Sequence, residues 1–209
     1  MTAPDVELRT AWTRLAGHGH DELCERFLAH LREPHRRYHT ATHVMWVLRH
    51  VDSLLVDDTS GADASAIRWA ALYHDAVYDP NRNDNEACSA DLADRHAGEL
   101  EWTSDRCDTV RRLIMATAGH RSSAPDEAIL VDADLAILGA DPNDYLAYRN
   151  AVRAEYGHLD DGAWRTGRTG VLRALLAADP LFATTAGRER WEARARANMA
   201  AELAALDVA

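Results

Sequence analysis

The chain has 209 residues, of which 34 are acidic and 23 are basic, and its formal net charge is −11 at pH 7. An acidic surface repels phosphate backbones, so the composition excludes a general binder of nucleic-acid polymers but still allows a small anionic substrate in a local basic pocket. The length suits one domain with a sizeable hydrophobic core, and we predict a single domain over residues 1–209.

The cysteines and the apolar segments indicate the compartment. Cys24, Cys88 and Cys107 are odd in number, widely spaced and without a CxxC pair, which argues against a disulfide framework and for a reducing compartment. The N-terminal segment has no basic-then-apolar signal pattern, and no apolar run approaches the roughly 18 residues that span a bilayer. We therefore expect a cytoplasmic protein without a membrane partner.

Apolar residues recur at helical spacing along the chain, and no segment shows the alternation of a half-buried strand. This pattern predicts an all-α fold, with the chemically informative motifs at about 35–160 and further helices at 162–207. The predicted helices cover 6–16, 22–31, 40–55, 62–74, a segment beginning near 85, 104–120, 129–138, 141–156, 162–178 and 187–206.

A histidine and an aspartate end one of these apolar runs. Ile67, Ala70 and Ala71 lie one and two turns before His74 on the same helical face, so His74 is predicted to point towards the core, with Asp75 beside it. Such groups are costly to bury unless they are paired or bound to a metal ion. Two interpretations remain at this point: a hydrogen-bonded pair that closes the helix, or a metal site.

Two other histidines lie at the start of the helix predicted for 40–55. His39 and His43 are four residues apart and therefore project to nearly the same side of a helix. They can share a metal ion or a substrate pocket, or they can simply bond to the backbone at the helix start. His120 lies at the core-facing end of its predicted helix, where a single histidine is commonly structural.

The run 129–138 contains two aspartates within an apolar helix. Asp132 and Asp134 lie ~160° apart on a helical wheel, so only one of them is predicted to face the core, and the apolar arc selects Asp134. An inward carboxylate needs a partner, and a cation suits it. Together with His43, His74 and Asp75 it forms a set of two imidazoles and two carboxylates, which suits Mn²⁺, Fe²⁺ or Mg²⁺.

Five short motifs follow one another in a specific order. They are Tyr38-His39…His43-Val44, His74-Asp75-Ala76-Val77-Tyr78-Asp79, Asn85-Glu86…Ser89-Ala90, Thr117…His120 and Asp132-Ala133-Asp134-Leu135…Gly139. This order resembles the HD superfamily of metal-dependent phosphohydrolases, and its details resemble the bacterial branch of small predicted phosphohydrolases. The resemblance covers roughly residues 35–160 and implies an HD-domain-like helical bundle.

The resemblance implies a set of metal ligands and a metal content. The ligands correspond to His43, His74, Asp75 and Asp134, holding Mn, Mg or Fe by preference, with Zn, Co or Ni as acceptable alternatives. Many two-metal HD proteins have a histidine where this chain has Asn85, which counts against a second ion, although His120 could contribute to one.

The resemblance also implies roles in the hydrolysis of a small phosphate ester or nucleotide by a metal-activated water. His39 corresponds to the proton donor of the similar cyclic-nucleotide phosphodiesterases. Asp75 or Glu86 would orient or deprotonate the water. The residues assigned to the substrate are Arg37, His120 and Arg153.

Two other functions remain open. Some HD-fold proteins use two irons for O₂ chemistry, so a di-iron oxygenase is one alternative, and Asn85 argues against it. A nucleotide-binding sensor that keeps the metal without chemistry is the other. The Ala-rich C-terminal helix is compatible with a monomer or a homodimer, and the substrate's identity is not encoded in any recognisable base-binding motif.

Overall fold

Ten α-helices make up most of residues 3–208, the part of the chain that the computed structural model describes. Met1, Thr2 and Ala209, which belong to the predicted domain 1–209, lie outside the described residues. No strand occurs within residues 3–208, so the prediction of an all-α fold is confirmed for this part of the chain.

The helices follow the apolar periodicity closely. They are α1 Ala3–Ala16, α2 Asp21–Leu31, α3 Ala41–Leu55, α4 Ala64–Tyr73, α5 Asn85–Glu99, α6 Ser104–Thr117, α7 Pro125–Leu135, α8 Pro142–Glu155, α9 Asp161–Leu176, and α10, which joins Thr185–Gly187, the π-helical turn Arg188–Glu192 and Ala193–Val208. A 3₁₀ turn, Ala136–Gly139, follows α7 directly. No helix of the described residues is long and apolar enough to cross a membrane.

Helix α7 lies at the centre of the protein, between two groups of core residues. Leu130 and Ala133 pack into the larger group, which joins α1 to α6, whereas Val131 and Leu135 pack into a smaller group formed with α8, α9 and α10. The helix is therefore buried on all sides and not on one stripe, as expected for a central helix. The helix begins at Pro125, whereas the sequence pattern predicted a start at residue 129. Proline is favoured in the first turn of a helix, which explains the earlier start.

The starts of α3 and α4 are determined by local capping. The Thr40 hydroxyl accepts from Thr42 N at 3.3 Å, and the Asp63 carboxylate accepts from Ser65 N and Ala66 N at 2.9 and 3.1 Å. Both helices pack against α7. All the predicted metal ligands lie on these three helices or directly after them.

The C-terminal helix approaches the 3₁₀ turn very closely. A Cβ atom on Gly139 would lie 2.6 Å from Trp191 Cβ, so only glycine permits this contact. The contact holds α10 against the end of α7 and forms one wall of a cleft described below.

Candidate metal centre

Three helices bring the four predicted ligands together. His43 lies in the first turn of α3, His74 and Asp75 follow directly after α4, and Asp134 lies in the last turn of α7. One nitrogen from each histidine and one oxygen from each aspartate all lie within 4.8 Å of one another. The chain therefore contains a buried group of four side chains that could hold a metal ion.

The distances within this group fit one divalent cation. Asp75 Oδ2 lies 3.1 Å from the Nε2 atoms of both His43 and His74, which are 3.2 Å apart, and Asp134 Oδ1 lies 3.4 and 3.5 Å from the same two nitrogens. Ligands about 2.0–2.2 Å from one ion lie about 2.8–3.6 Å from their tetrahedral or octahedral neighbours. The four side chains thus have the spacing and the chemistry of a metal site.

Helix α4 itself orients His74. The ring nitrogen Nδ1 donates to the carbonyl oxygen of Ala71 at 2.9 Å, because a carbonyl can only accept. This bond leaves Nε2 to face the cluster on a ring that is only 1% exposed. A histidine whose second nitrogen is held by a carbonyl is the usual arrangement in metal sites.

The charges of the four side chains balance one another. Burial by itself lowers the pKa of an imidazole, but the Asp75 and Asp134 carboxylates outweigh it and raise the pKa of both His43 and His74. Burial by itself raises the pKa of a carboxyl, but the imidazoles hold the pKa of Asp75 and Asp134 well below its usual range. A divalent cation supplies the same positive charge as two imidazolium groups and can replace their protons.

His120 reaches the cluster in a way that the helical pattern did not predict. Helix α6 ends at Thr117, and His120 occupies the left-handed position after it, with φ 47°. The bonds from His120 N to Thr117 O and from Arg121 N to Ala116 O close a turn of the kind that usually has glycine at this place. The predicted helix 104–120 was therefore too long. The turn places His120 Nε2 3.4 Å from Asp134 Oδ2, the oxygen that faces away from the four-residue group.

A buried glutamate holds His39. Glu155, the last residue of α8, accepts from His39 Nδ1 at 2.7 Å and from the backbone N–H groups of Arg37, Tyr38 and His39 at 2.7–3.0 Å. Burial opposes its ionisation, but these bonds and the His39 ring lower the pKa of Glu155 to about 2. The ring of His39 also stacks on Tyr78 at 4.0 Å. The other ring nitrogen, Nε2, is left as the atom that can exchange a proton.

A buried arginine connects the two segments that supply the histidines. The guanidinium of Arg36 donates to the carbonyl oxygens of His39, Asp75 and Ala76 at 2.7–2.9 Å. It also bonds to Glu33 at 3.0 Å. Arg36 therefore determines how far the start of α3 lies from the end of α4.

Sequence reasoning missed both Arg36 and Glu155. Arg36 lies within the quoted motif region but was given no role. An acidic residue in the last turn of a helix is unfavourable for the helix dipole, and this was the only signal for Glu155.

The loop after Asp75 is organised by residues of the third motif. The Asn85 side chain accepts from Asp79 N and donates to Asp79 O at 3.0 and 2.9 Å, and Ser89 Oγ bonds to both backbone groups of Val77 at 3.0 and 3.1 Å. The amide of Asn85 is thus occupied by the loop. Glu86, the next residue, lies in the first turn of α5.

Two clefts reach the cluster. The His120 cleft, of about 530 Å³, is lined by His39, Asp75, Glu86 and His120 together with an aromatic and apolar wall from α8 and α9. The Trp46 cleft, of about 670 Å³, runs between α3 and α8 and contains His43. Both clefts share four lining residues, namely Tyr38, Asp134, Ile137 and Tyr148.

The two arginines predicted to contact substrate lie elsewhere. Arg37 lines the Trp46 cleft. Arg153 is part of neither lining, and its guanidinium donates to Tyr156 O, Leu159 O and Asp161 at 2.9, 3.2 and 2.8 Å. These bonds connect the end of α8 to the turn that follows it, so Arg153 has a structural role.

The expectation that only one of the two α7 aspartates faces inward was wrong. Asp132 is completely buried and accepts from Ala183 N, Thr184 N and Thr184 Oγ1 at 2.7–2.9 Å. The wheel argument assumed a single core, whereas α7 has core residues on both sides. Asp132 anchors the turn before α10, on the side of α7 opposite to the cluster.

Comparison with known proteins adds no assignment. No family model, no curated protein and no solved structure matches this chain. The molecule is thus characterised by its own features: an all-helical bundle with a buried group of two histidines and two aspartates.

Proposed function

We propose that the protein is a metal-dependent phosphohydrolase of the HD type, which hydrolyses a phosphate ester of a small molecule or nucleotide. One observation supports this most strongly. Asp75 and Asp134, two of the four side chains with metal-ligand spacing, line the same cleft as His39, a histidine that is positioned by a buried carboxylate. Hydrolysis of a phosphate ester needs an activated water and an acid for the leaving oxygen, and these groups can supply both.

The four side chains would hold one divalent ion through His43 Nε2, His74 Nε2, Asp75 Oδ2 and Asp134 Oδ1. Such an ion lowers the pKa of a water ligand and polarises a phosphoryl oxygen. Because the Asn85 amide is engaged by the loop, the proposal includes a single ion.

His39 would protonate the leaving oxygen from Nε2. Its Nδ1 donates to Glu155, and the low pKa of Glu155 keeps that carboxylate ionised as the acceptor. Stacking on Tyr78 keeps the ring in place. Glu155 is therefore a positioning residue in this proposal.

The remaining residues of the His120 cleft would act on the water and the phosphate. Asp75, which lies within the cluster, or Glu86 would accept the proton of the attacking water. His120, whose side chain is 40% exposed, would donate to a non-reacting phosphoryl oxygen, because the nearby Asp134 carboxylate outweighs desolvation and raises the pKa of its imidazole. Arg153 is not included, because backbone carbonyls and Asp161 occupy its donors.

The test is phosphate release from a panel of nucleotides and phosphate esters. The protein is stripped of metal and resupplied separately with Mn²⁺, Mg²⁺, Fe²⁺, Co²⁺ or Zn²⁺. We expect metal-dependent release that Asp75→Asn lowers at least about 100-fold. Asp91→Asn is the matched control and should retain full activity, because Asp91 is an exposed acid on α5 paired with Arg111.

Stoichiometric metal binding without phosphate release from any substrate would contradict the proposal. Consumption of O₂ that depends on Fe²⁺ would then establish an oxygenase. Tight nucleotide binding without turnover would establish a sensor.

A further inference from the structure

The Trp46 cleft is the larger of the two clefts, and the proposed hydrolysis does not use it. Its lining contains neither His39, Asp75, Glu86 nor His120, although it reaches the cluster at His43. The edge-to-face pair of Tyr38 and Tyr148, with ring centroids 4.7 Å apart, lies where the two clefts meet. A cleft of this size holds an ordinary small-molecule ligand.

One end of the Trp46 cleft is aromatic. The ring of His50 lies 6.0 Å from Trp46 and nearly parallel to it, and 5.2 Å from Trp191 at an angle of 75°. Trp46 is 49% exposed, and the guanidinium of Arg49, which is not part of the cleft lining, lies 5.1 Å from the centre of the Trp46 ring. Burial and the nearby Arg190 lower the pKa of His50, which keeps the His50 ring itself uncharged at neutral pH. Such a wall suits a planar ring.

The charged side chains that line the cleft differ in their pairing, since Arg190 is paired with Asp57 and Arg194 with Asp141, both at 2.8 Å. At the end next to Glu155, the guanidinium of Arg37 donates to the carbonyl oxygens of Pro34 and Arg36, and no carboxylate of residues 3–208 lies within ion-pair distance of the guanidinium. At the other end, Asp141 and Asp144 line the cleft at the start of α8. Helix α8 has 14 residues, so the two ends lie about 20 Å apart.

A ligand of the Trp46 cleft must complement Arg37, the aromatic wall and the carboxylates. An anion belongs at Arg37, just before α3, because its guanidinium has no carboxylate partner within the described residues, and a planar ring belongs against Trp46, within α3. The carboxylates at the far end favour a ring that has N–H donors. Arg194 already pairs with Asp141 at 2.8 Å, so Asp144 is the acid available to such a donor.

We infer that the Trp46 cleft is a second binding site, for a ligand that joins a nitrogen-containing aromatic ring to an anionic group, as a nucleoside monophosphate does. The ring stacks on Trp46 and the phosphate binds Arg37. The bound ligand borders Tyr38 and Tyr148 at the junction with the His120 cleft. The inference concerns binding and does not depend on the proposed hydrolysis.

The probe is AMP, titrated calorimetrically into the protein while phosphate release is followed in the same sample. We expect Trp46→Leu and Arg37→Gln each to raise the Kd of AMP about tenfold. Trp46→Phe keeps an aromatic ring and should therefore retain most of the affinity. Adenosine and ribose 5-phosphate, which each contain one half of the ligand, should bind at least tenfold more weakly than AMP.

Two matched controls locate the ligand. Trp164→Leu removes an aromatic side chain from the His120 cleft, and Arg173→Gln removes an exposed arginine from α9, so neither should change the Kd of AMP. The inference is overturned if AMP does not bind at millimolar concentration. It is also overturned if Trp164→Leu weakens binding while Trp46→Leu does not, because the ring then lies in the His120 cleft. Circular dichroism of each variant verifies that the helical fold is retained.

Discussion

The two sides of α7 place the same kind of residue in opposite environments. Asp134 faces three histidines, which hold the pKa of its carboxyl well below the usual range in spite of burial. Asp132 faces the turn before α10 and receives only backbone N–H groups and a hydroxyl, and burial raises the pKa of its carboxyl. A buried carboxylate is thus informative about metal binding only when the groups around it are known.

The different surroundings of the two aspartates also indicate different roles, metal binding for Asp134 and folding for Asp132. The groups around Asp134 are side chains that titrate and can exchange protons for a cation. The groups around Asp132 are fixed donors of the backbone, which connect α10 to the rest of the protein. We therefore expect substitutions on the two sides to affect different measurements.

The largest expected effect is on metal affinity. Asp134→Asn removes one of two carboxylates from the cluster and should weaken the binding of Mn²⁺ and Zn²⁺ at least about 100-fold in a calorimetric titration. Asp132→Asn, only two positions away, should leave the affinity within about twofold. Equal weakening by both substitutions would show that the ion is not bound at the cluster.

Metal binding should also stabilise the fold. At a free Mn²⁺ concentration of 100 times the Kd, the free energy of unfolding should rise by about 2.7 kcal/mol. Urea denaturation with and without the ion measures this difference. At the same ion concentration, the increase should persist in Asp132→Asn and fall to about 0.4 kcal/mol or less in Asp134→Asn.

Asp132→Asn should instead lower the free energy of unfolding by about 2 kcal/mol. The new amide NH₂ would face the N–H groups of Ala183 and Thr184, so that at least one buried donor loses its acceptor. Asp108→Asn, at an exposed position on α6, should change it by no more than about 0.5 kcal/mol. If Asp132→Asn does not change the free energy of unfolding, the hydrogen bonds that Asp132 accepts contribute nothing to stability.

The packing around Asp132 leaves no space for a further atom. A Cβ on Gly187 would lie 2.5 Å from Asp132 Oδ2 and 2.8 Å from Thr184 Oγ1, so Gly187→Ala should destabilise the protein by about 1.5 kcal/mol. Gly170 lies in α9 with nothing within 4 Å of such an atom, and Gly170→Ala should stabilise the protein by up to about 1 kcal/mol. Thermal melts of both variants test this contrast in sign.

The last expected effect concerns the pH dependence of metal binding. His43 and His74 have a raised pKa, so they retain protons below that pKa and compete with the ion; raising the pH removes this competition. Apparent metal affinity should therefore rise with pH, by about tenfold per pH unit for each proton released. Titrations in buffers with different heats of ionisation count these protons. An affinity that is constant between about pH 6 and 8 would contradict the balance of charges in the cluster.

Much of the candidate site could be predicted because its residues follow local rules. His74 and Asp134 each lie on an apolar helical face, where an unpaired polar group is costly, so the need for a partner could be inferred before the partner was known. Asp132 shows the limit of this reasoning. The helical wheel identifies the apolar arc, but it does not reveal that another part of the chain covers the opposite side.

The sequence by itself determined the helices, since hydrophobic periodicity and capping act over a few residues, and it determined which inward side chains could hold a cation. Only the tertiary structure decided the parts that depend on distant contacts. Glu155 holds His39 from 116 residues away, Arg36 bonds to Asp75 across 39, and Asp132 accepts from Ala183 across 51. Such contacts leave no periodic pattern, because they arise from how whole helices pack. The same packing creates two clefts around one cluster, which no local sequence rule describes.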